Sequence, residues 1–125
     1  MTKTMTNLEI YTIANSFAEA FTDDSMYLPA KLNFYIQKNR SLMASLSTDI
    51  EKARDNIVLH YGEPTEDGGY QIPPERVSEA NDELNELLTV EQEVTVYTIS
   101  LDALDGIDLT AKQMQVLLFM IEEPV

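Results

Sequence analysis

Apolar residues in this chain keep a helical period over several stretches and lose it between them. Ile10, Ile13, Ala14, Phe17, Ala18 and Phe21 recur at three- and four-residue spacing, behind the tetrad Thr6-Asn7-Leu8-Glu9. In such a tetrad the threonine hydroxyl accepts from the backbone three residues on, and the glutamate reaches back to the first N–H. The pattern predicts a helix over 7–22, ended by a turn at Asp23, Asp24 and Ser25. Pro29 suits a first helical position, where its missing N–H costs nothing. No Gly or Pro follows until Gly62. Across that interval Leu32, Ile36, Asn39, Met43, Leu46, Ile50, Ala53, Ile57 and His60 alternate steps of four and three, a heptad stripe. A helix of that length spans about 50 Å, more than a compact domain needs. Either several elements cover the stripe or part of it faces another chain. Gly62 is expected to stop the helix in the left-handed conformation.

Glu66-Asp67-Gly68-Gly69 is turn chemistry, followed by a short extended piece at Tyr70-Gln71-Ile72. Pro73-Pro74-Glu75 opens a third element, in which Val77, Ala80, Leu84, Leu87 and Leu88 form the apolar stripe. This predicts a helix over 74–89, antiparallel on the second half of the long one. Its acids are expected beside Lys52 and Arg54. Val94, Val96 and Thr98 alternate with Thr95, Tyr97, Ile99 and Leu101, the pattern of a strand. A strand leaves its backbone groups unpaired unless another joins it. The expected partner is residues 69–72 or the same strand of another subunit. Ser100 to Leu104 suggests one helical turn closed by Gly106. Thr110 through Gln113 repeats the capping pattern, and Met114, Leu117, Leu118 and Ile121 give a last short helix with Pro124 beyond it. The fold class is mainly α: a long central helix with a helical hairpin, plus one short strand or small hairpin as the minor β part. One helical domain covers 1–125.

Composition narrows the function classes. At 125 residues with 44% hydrophobic content, the chain can bury a core without staples. With no cysteine, disulfides and cysteine-ligated zinc are excluded. Nothing resembles a signal peptide, and no run approaches the 18 or so apolar residues of a membrane span. The expected location is the cytoplasm. The net charge of −14 is unevenly spread: −3 over residues 1–28, +2 over 29–61 and −13 over 62–125. So acidic a chain repels nucleic-acid backbones and anionic membranes, which disfavours direct binding to either. The acidity serves solubility, or else it imitates a phosphate backbone.

Candidate chemistry is sparse. His60 is the only histidine, so neither a catalytic triad nor a multi-histidine metal site can be assembled, and a core or helix-end role is expected. Asp102, Asp105 and Asp108 surround Gly106 but lack the alternating ligands and closing Glu of a calcium loop, which leaves turn and cap roles. The acids of the third helix lack the Glu-x-x-His of di-metal bundles, and no phosphate-binding loop is present. No catalytic residue, cofactor or metal is expected. Asn39 within the stripe either fixes register or pairing, or faces solvent where the stripe drifts. Tyr27, Phe34 and Tyr35 lie off the stripe, to pack under the first helix or to form an exposed contact patch.

Residues 27–39, Tyr-Leu-Pro-Ala-Lys-Leu-Asn-Phe-Tyr-Ile-Gln-Lys-Asn, resemble a segment of small proteins from phages and prophages of Gram-positive and gut bacteria. So do Asp49 to Arg54, Tyr61-Gly62-Glu63, Glu83 to Leu88, Gln113-Met114 and Phe119-Met120-Ile121. The resemblance spans about 7–122. No function is assigned to that family, so it implies a phage origin and the host bacterial cytoplasm, or the virion, and brings no catalytic residues. The leading expectation is a non-enzymatic phage protein that binds other proteins, as a homo-oligomer. Its candidate interaction residues are Leu32, Ile36, Asn39 and Met43 on the stripe and Glu79, Asp82, Glu83 and Glu86 on the acidic face. The alternatives are an acidic nucleic-acid mimic that inhibits a host defence or regulatory protein, a virion or assembly component and, last, a metal-dependent enzyme.

Overall fold

The computed structural model describes residues 1–22 and 27–122. The elements, in chain order, are strand β1 (Thr2–Thr6), helix α1 (Asn7–Ala20), helix α2 (Ala30–Tyr61), the short strands β2 (Glu63–Pro64) and β3 (Tyr70–Gln71), helix α3 (Val77–Thr89), strand β4 (Glu91–Thr95) and helix α4 (Ala111–Leu117). Single 3-10 turns lead into α3, follow β4 and extend α4. The fold is mainly α with a minor β part, organised on the long α2. No helix of the described residues is long and apolar enough to cross a membrane. The expected turn at Asp23, Asp24 and Ser25, and Pro124, lie outside the described residues.

Both capping boxes form. Thr6 Oγ1 accepts from Glu9 N at 3.1 Å while Glu9 Oε1 accepts from Thr6 N at 3.2 Å. Thr110 and Gln113 repeat the exchange at 3.1 and 3.0 Å. Gln113 also donates through Nε2 to Ala20 O, and Arg40 donates to Phe21 O. Two carbonyls at the end of α1, orphaned by the helix geometry, are thereby met by side chains of α4 and α2.

The strand near residue 94 has a different partner from either expected one. β4 pairs antiparallel with β1, in the register Thr2↔Thr95 through Thr6↔Glu91. Period-two alternation sends Met5 and Val94 into the core, and Thr2, Thr4, Glu91, Glu93 and Thr95 outward. Residues 70–71 pair instead with 63–64, in a hairpin. Its turn is held by Asp67, whose Oδ1 accepts from the Thr65 hydroxyl and from Gly69 N, and Gly68 takes φ +88° there.

α3 runs antiparallel to the second half of α2: Arg76 lies over the Tyr61 ring at 4.9 Å, while Leu87 packs against the cluster that holds Ile50 and Leu84 lines an apolar pocket with it. The acids of α3 do not sit on Lys52 and Arg54 as expected. Arg54 instead donates to the Tyr11 hydroxyl at 3.2 Å and pairs with Asp55 at 3.5 Å. The α3 carboxylate that finds a donor on α2 is Glu83, bonded by the Tyr61 hydroxyl at 2.9 Å. Gly62 ends α2 in an extended conformation, φ −87°, rather than the left-handed one. Glycine is needed there for space, since a Cβ would stand 2.6 Å from Val58 O.

The core has two clusters. Phe17, Phe21, Leu32, Ile36, Ile99, Leu104, Val116, Leu117 and Met120 form one; Met5, Ile10, Met43, Ile50, Val94 and Val96 form the other. Ile13 and Phe119 pack against both.

Candidate functional site

The heptad stripe supplies the core and is not an interaction surface. Leu32, Ile36, Asn39 and Met43 are 4%, 1%, 0% and 0% exposed. α1, α4 and the chain around 94–99 cover them, so the expectation that these four residues face another chain is corrected. The long helix needs no second subunit to bury this half of its stripe. Farther along, Ala53 and Ile57 are half-buried, and His60 is exposed at the last turn, edge-on to Tyr61.

Asn39 sits between the two clusters and settles the question of the strand's continuation. Its Nδ2 donates to Tyr97 O at 2.8 Å, and its Oδ1 accepts from Tyr97 N at 2.9 Å. A side-chain amide thus replaces a neighbouring strand for one residue just past β4. Asn7 works similarly at the other end: it donates to Leu87 O, accepts from Gln92 Nε2, and its N–H bonds Val90 O. Each buried amide is satisfied, as burial of polar groups demands.

Fixing the Tyr97 peptide has an outward consequence. Val96 is buried, so alternation turns Tyr97 to the surface, where it meets the flank of α2 beside the stripe. Lys31, Phe34, Tyr35 and Lys38 share one face there, because positions i, i+3, i+4 and i+7 align on a helix. Tyr35 lies 5.3 Å from Tyr97 between ring centroids, and Phe34 meets Tyr97 edge-on at 6.2 Å. Lys31 Nζ stands 5.7 Å from the Tyr35 ring and Lys38 Nζ 5.9 Å from Phe34, within the range of cation–π attraction. Phe34 is 53% exposed and Tyr97 42%. Grooves of about 480 Å³ flank Tyr35 on both sides: one runs between Lys31 and Ser100, the other between Met1 and Tyr97. Phe34 and Tyr27 do not pack under the first helix; Tyr27 is 84% exposed.

A second surface is acidic. Glu79, Asp82, Glu83 and Glu86 are exposed along α3, with Glu83 held by Tyr61. That hydrogen bond, aided by the negative charge of Glu83 and Glu79, raises the Tyr61 hydroxyl above its ordinary range. Asp102, Asp105 and Asp108 are exposed about the 3-10 turn that Gly106 closes at φ +76°. Among the described residues no three His, Asp or Glu are grouped to hold a metal ion.

Tyr97 is the member of the aromatic surface that sequence reasoning missed. Its signal was present: it is the outward residue of an alternating run whose neighbours Val96 and Val94 point in. Comparison with known protein families, curated proteins and solved structures finds no match to this chain.

Proposed function

We propose that this chain acts without catalysis, by binding other proteins, and that the Phe34–Tyr35–Tyr97 face is its working surface. The observation that carries the reading is the exposure of adjoining aromatic rings, two of them about half open to solvent, between two lysines. Aromatic residues concentrate at interface centres, where they bring large contact area at small entropic cost. Here they are also preorganised, since the Asn39 clamp fixes the Tyr97 peptide from inside. Taken with the resemblance to phage proteins, the reading places the chain in the cytoplasm of an infected bacterium. A photocrosslinking residue in place of Phe34 tests it, with the same group at exposed Asp55 as the control. A discrete protein adduct is expected from position 34 alone. No adduct there, or the same adducts from both positions, would overturn the reading.

A second reading is favoured by the exposed carboxylates of α3: an acidic face that occupies a basic, nucleic-acid-binding host protein. It predicts capture of a basic protein from infected cells that is reversed by raised salt. Substituting Glu79→Gln, Asp82→Asn, Glu83→Gln and Glu86→Gln together should abolish that capture; capture unchanged by them sinks this alternative.

A further inference from the structure

We propose that the occupant of the aromatic–lysine face is α3 of a second copy of this chain, an inference that rests on that face being the working surface. Lys3 donates to Phe119 O, Arg40 to Phe21 O, and Arg54 to Tyr11 beside Asp55; Arg76 covers Tyr61, and Lys112 pairs with Glu19. Lys31, Lys38, Lys52 and Arg76 have no side-chain hydrogen bond to a carboxylate or carbonyl among the described residues; Lys52 and Arg76 stand singly, whereas Lys31 and Lys38 share one face, each over an aromatic ring. In a chain with 22 acids, two cations held over aromatic rings without an anion form a receptor for carboxylates from outside.

The spacing selects the donor of those carboxylates. Lys31 and Lys38 are seven residues apart, about 10.5 Å along a helix and on one face. α3 repeats the interval with Glu79 and Glu86, both exposed, with Asp82 and Glu83 between them. Two charges at one separation match two opposite charges at the same separation whichever way the helices run. Each copy carries −14, yet screening confines that repulsion to roughly 8 Å at physiological ionic strength, so the facing charges decide. The two surfaces are different patches, which makes the contact heterologous: copies join head to tail, in an open row or a closed ring.

The test is sedimentation velocity over a dilution series with the whole chain, K31Q/K38Q, E79Q/E86Q and their equimolar mixture, each checked for an unchanged circular-dichroism melt. The wild type is expected to self-associate, and each paired variant to do so at least about tenfold more weakly. The mixture should form a 1:1 complex and stop there, because one variant keeps only the acidic surface and the other only the lysine surface. A wild type that stays monomeric at every concentration, variants that associate like it, or a mixture that fails to pair would each overturn the inference. The crosslink at position 34 separates this failure from failure of the underlying reading. An adduct of two chains supports both, an adduct with a different protein keeps the working surface and removes the second copy, and no adduct removes both.

Discussion

The two halves of α2 carry one continuous heptad pattern and use it differently. From Leu32 to Ile50 the stripe is closed over by α1, α4 and the β4 continuation, and its polar member Asn39 is fully satisfied within. From Glu51 to Tyr61 the stripe residues Ala53 and Ile57 are only half-buried. Contacts at the margin hold that end: Arg54 to Tyr11, Tyr61 to Glu83, Arg76 over Tyr61. A heptad pattern tells which side of a helix is apolar; what covers that side decides whether it is core or seam. The outer face differs as well. It is aromatic and cationic on the first half, and on the second half its exposed apolar residue is Leu59.

Matched truncations break or sharpen this contrast most strongly. Met43→Ala and Ile36→Ala each remove a fully enclosed side chain and should cost about 3–4 kcal/mol, whereas Ile57→Ala should cost about 1 kcal/mol. Urea unfolding reads both. Equal losses in the two halves would erase the distinction between a sealed core and a marginal seam.

Asn39→Leu comes next. It keeps the branching and heavy-atom count of the amide but leaves the Tyr97 N–H and C=O without partners, at a cost of about 2–3 kcal/mol. It should also loosen the Tyr97 ring, seen as lost near-ultraviolet circular dichroism and line broadening of the ring protons. A stable variant with Tyr97 unchanged would show that the strand continuation needs no clamp.

How much of this was legible in the sequence follows from the range of each interaction. The capping boxes at Thr6 and Thr110, the limits of α2 and the helix within 74–89 depend on residues a few positions apart, and each is readable locally. The pairing of β4 with Thr2–Thr6 joins residues 93 positions apart at Thr2 and Thr95. Thr-Lys-Thr-Met-Thr reads as polar unless its alternation is noticed. The aromatic surface was half legible: Phe34 and Tyr35 stand off the stripe in any helical reading, but Tyr97 joins them only because Asn39 binds its peptide from across the fold. The stripe itself was misassigned as a contact surface because periodicity carries no information about coverage. The acids were expected on Lys52 and Arg54, but Arg54 is taken by Tyr11 and Asp55.

The second half of α2 offers a smaller test, through Tyr61. The Glu83 carboxylate accepts its proton, so the folded state holds the hydroxyl more tightly than the unfolded chain, whose ordinary value is 10.0. A pKa raised on folding adds stability that is whole below the unfolded value and is lost as pH climbs through the folded one. The contribution of this bond should therefore be flat from neutral pH to about pH 10 and decline above it. Tyr61→Phe should lower stability slightly at neutral pH and flatten that alkaline decline. Glu83→Gln should also shrink that decline, because the negative charge that opposes ionisation is gone and the folded value falls back toward the unfolded one. Melting temperatures from pH 7 to 11 for the three proteins measure this. Parallel curves would mean that Tyr61 holds α3 by its ring, beneath Arg76, and that the hydroxyl adds nothing to the seam.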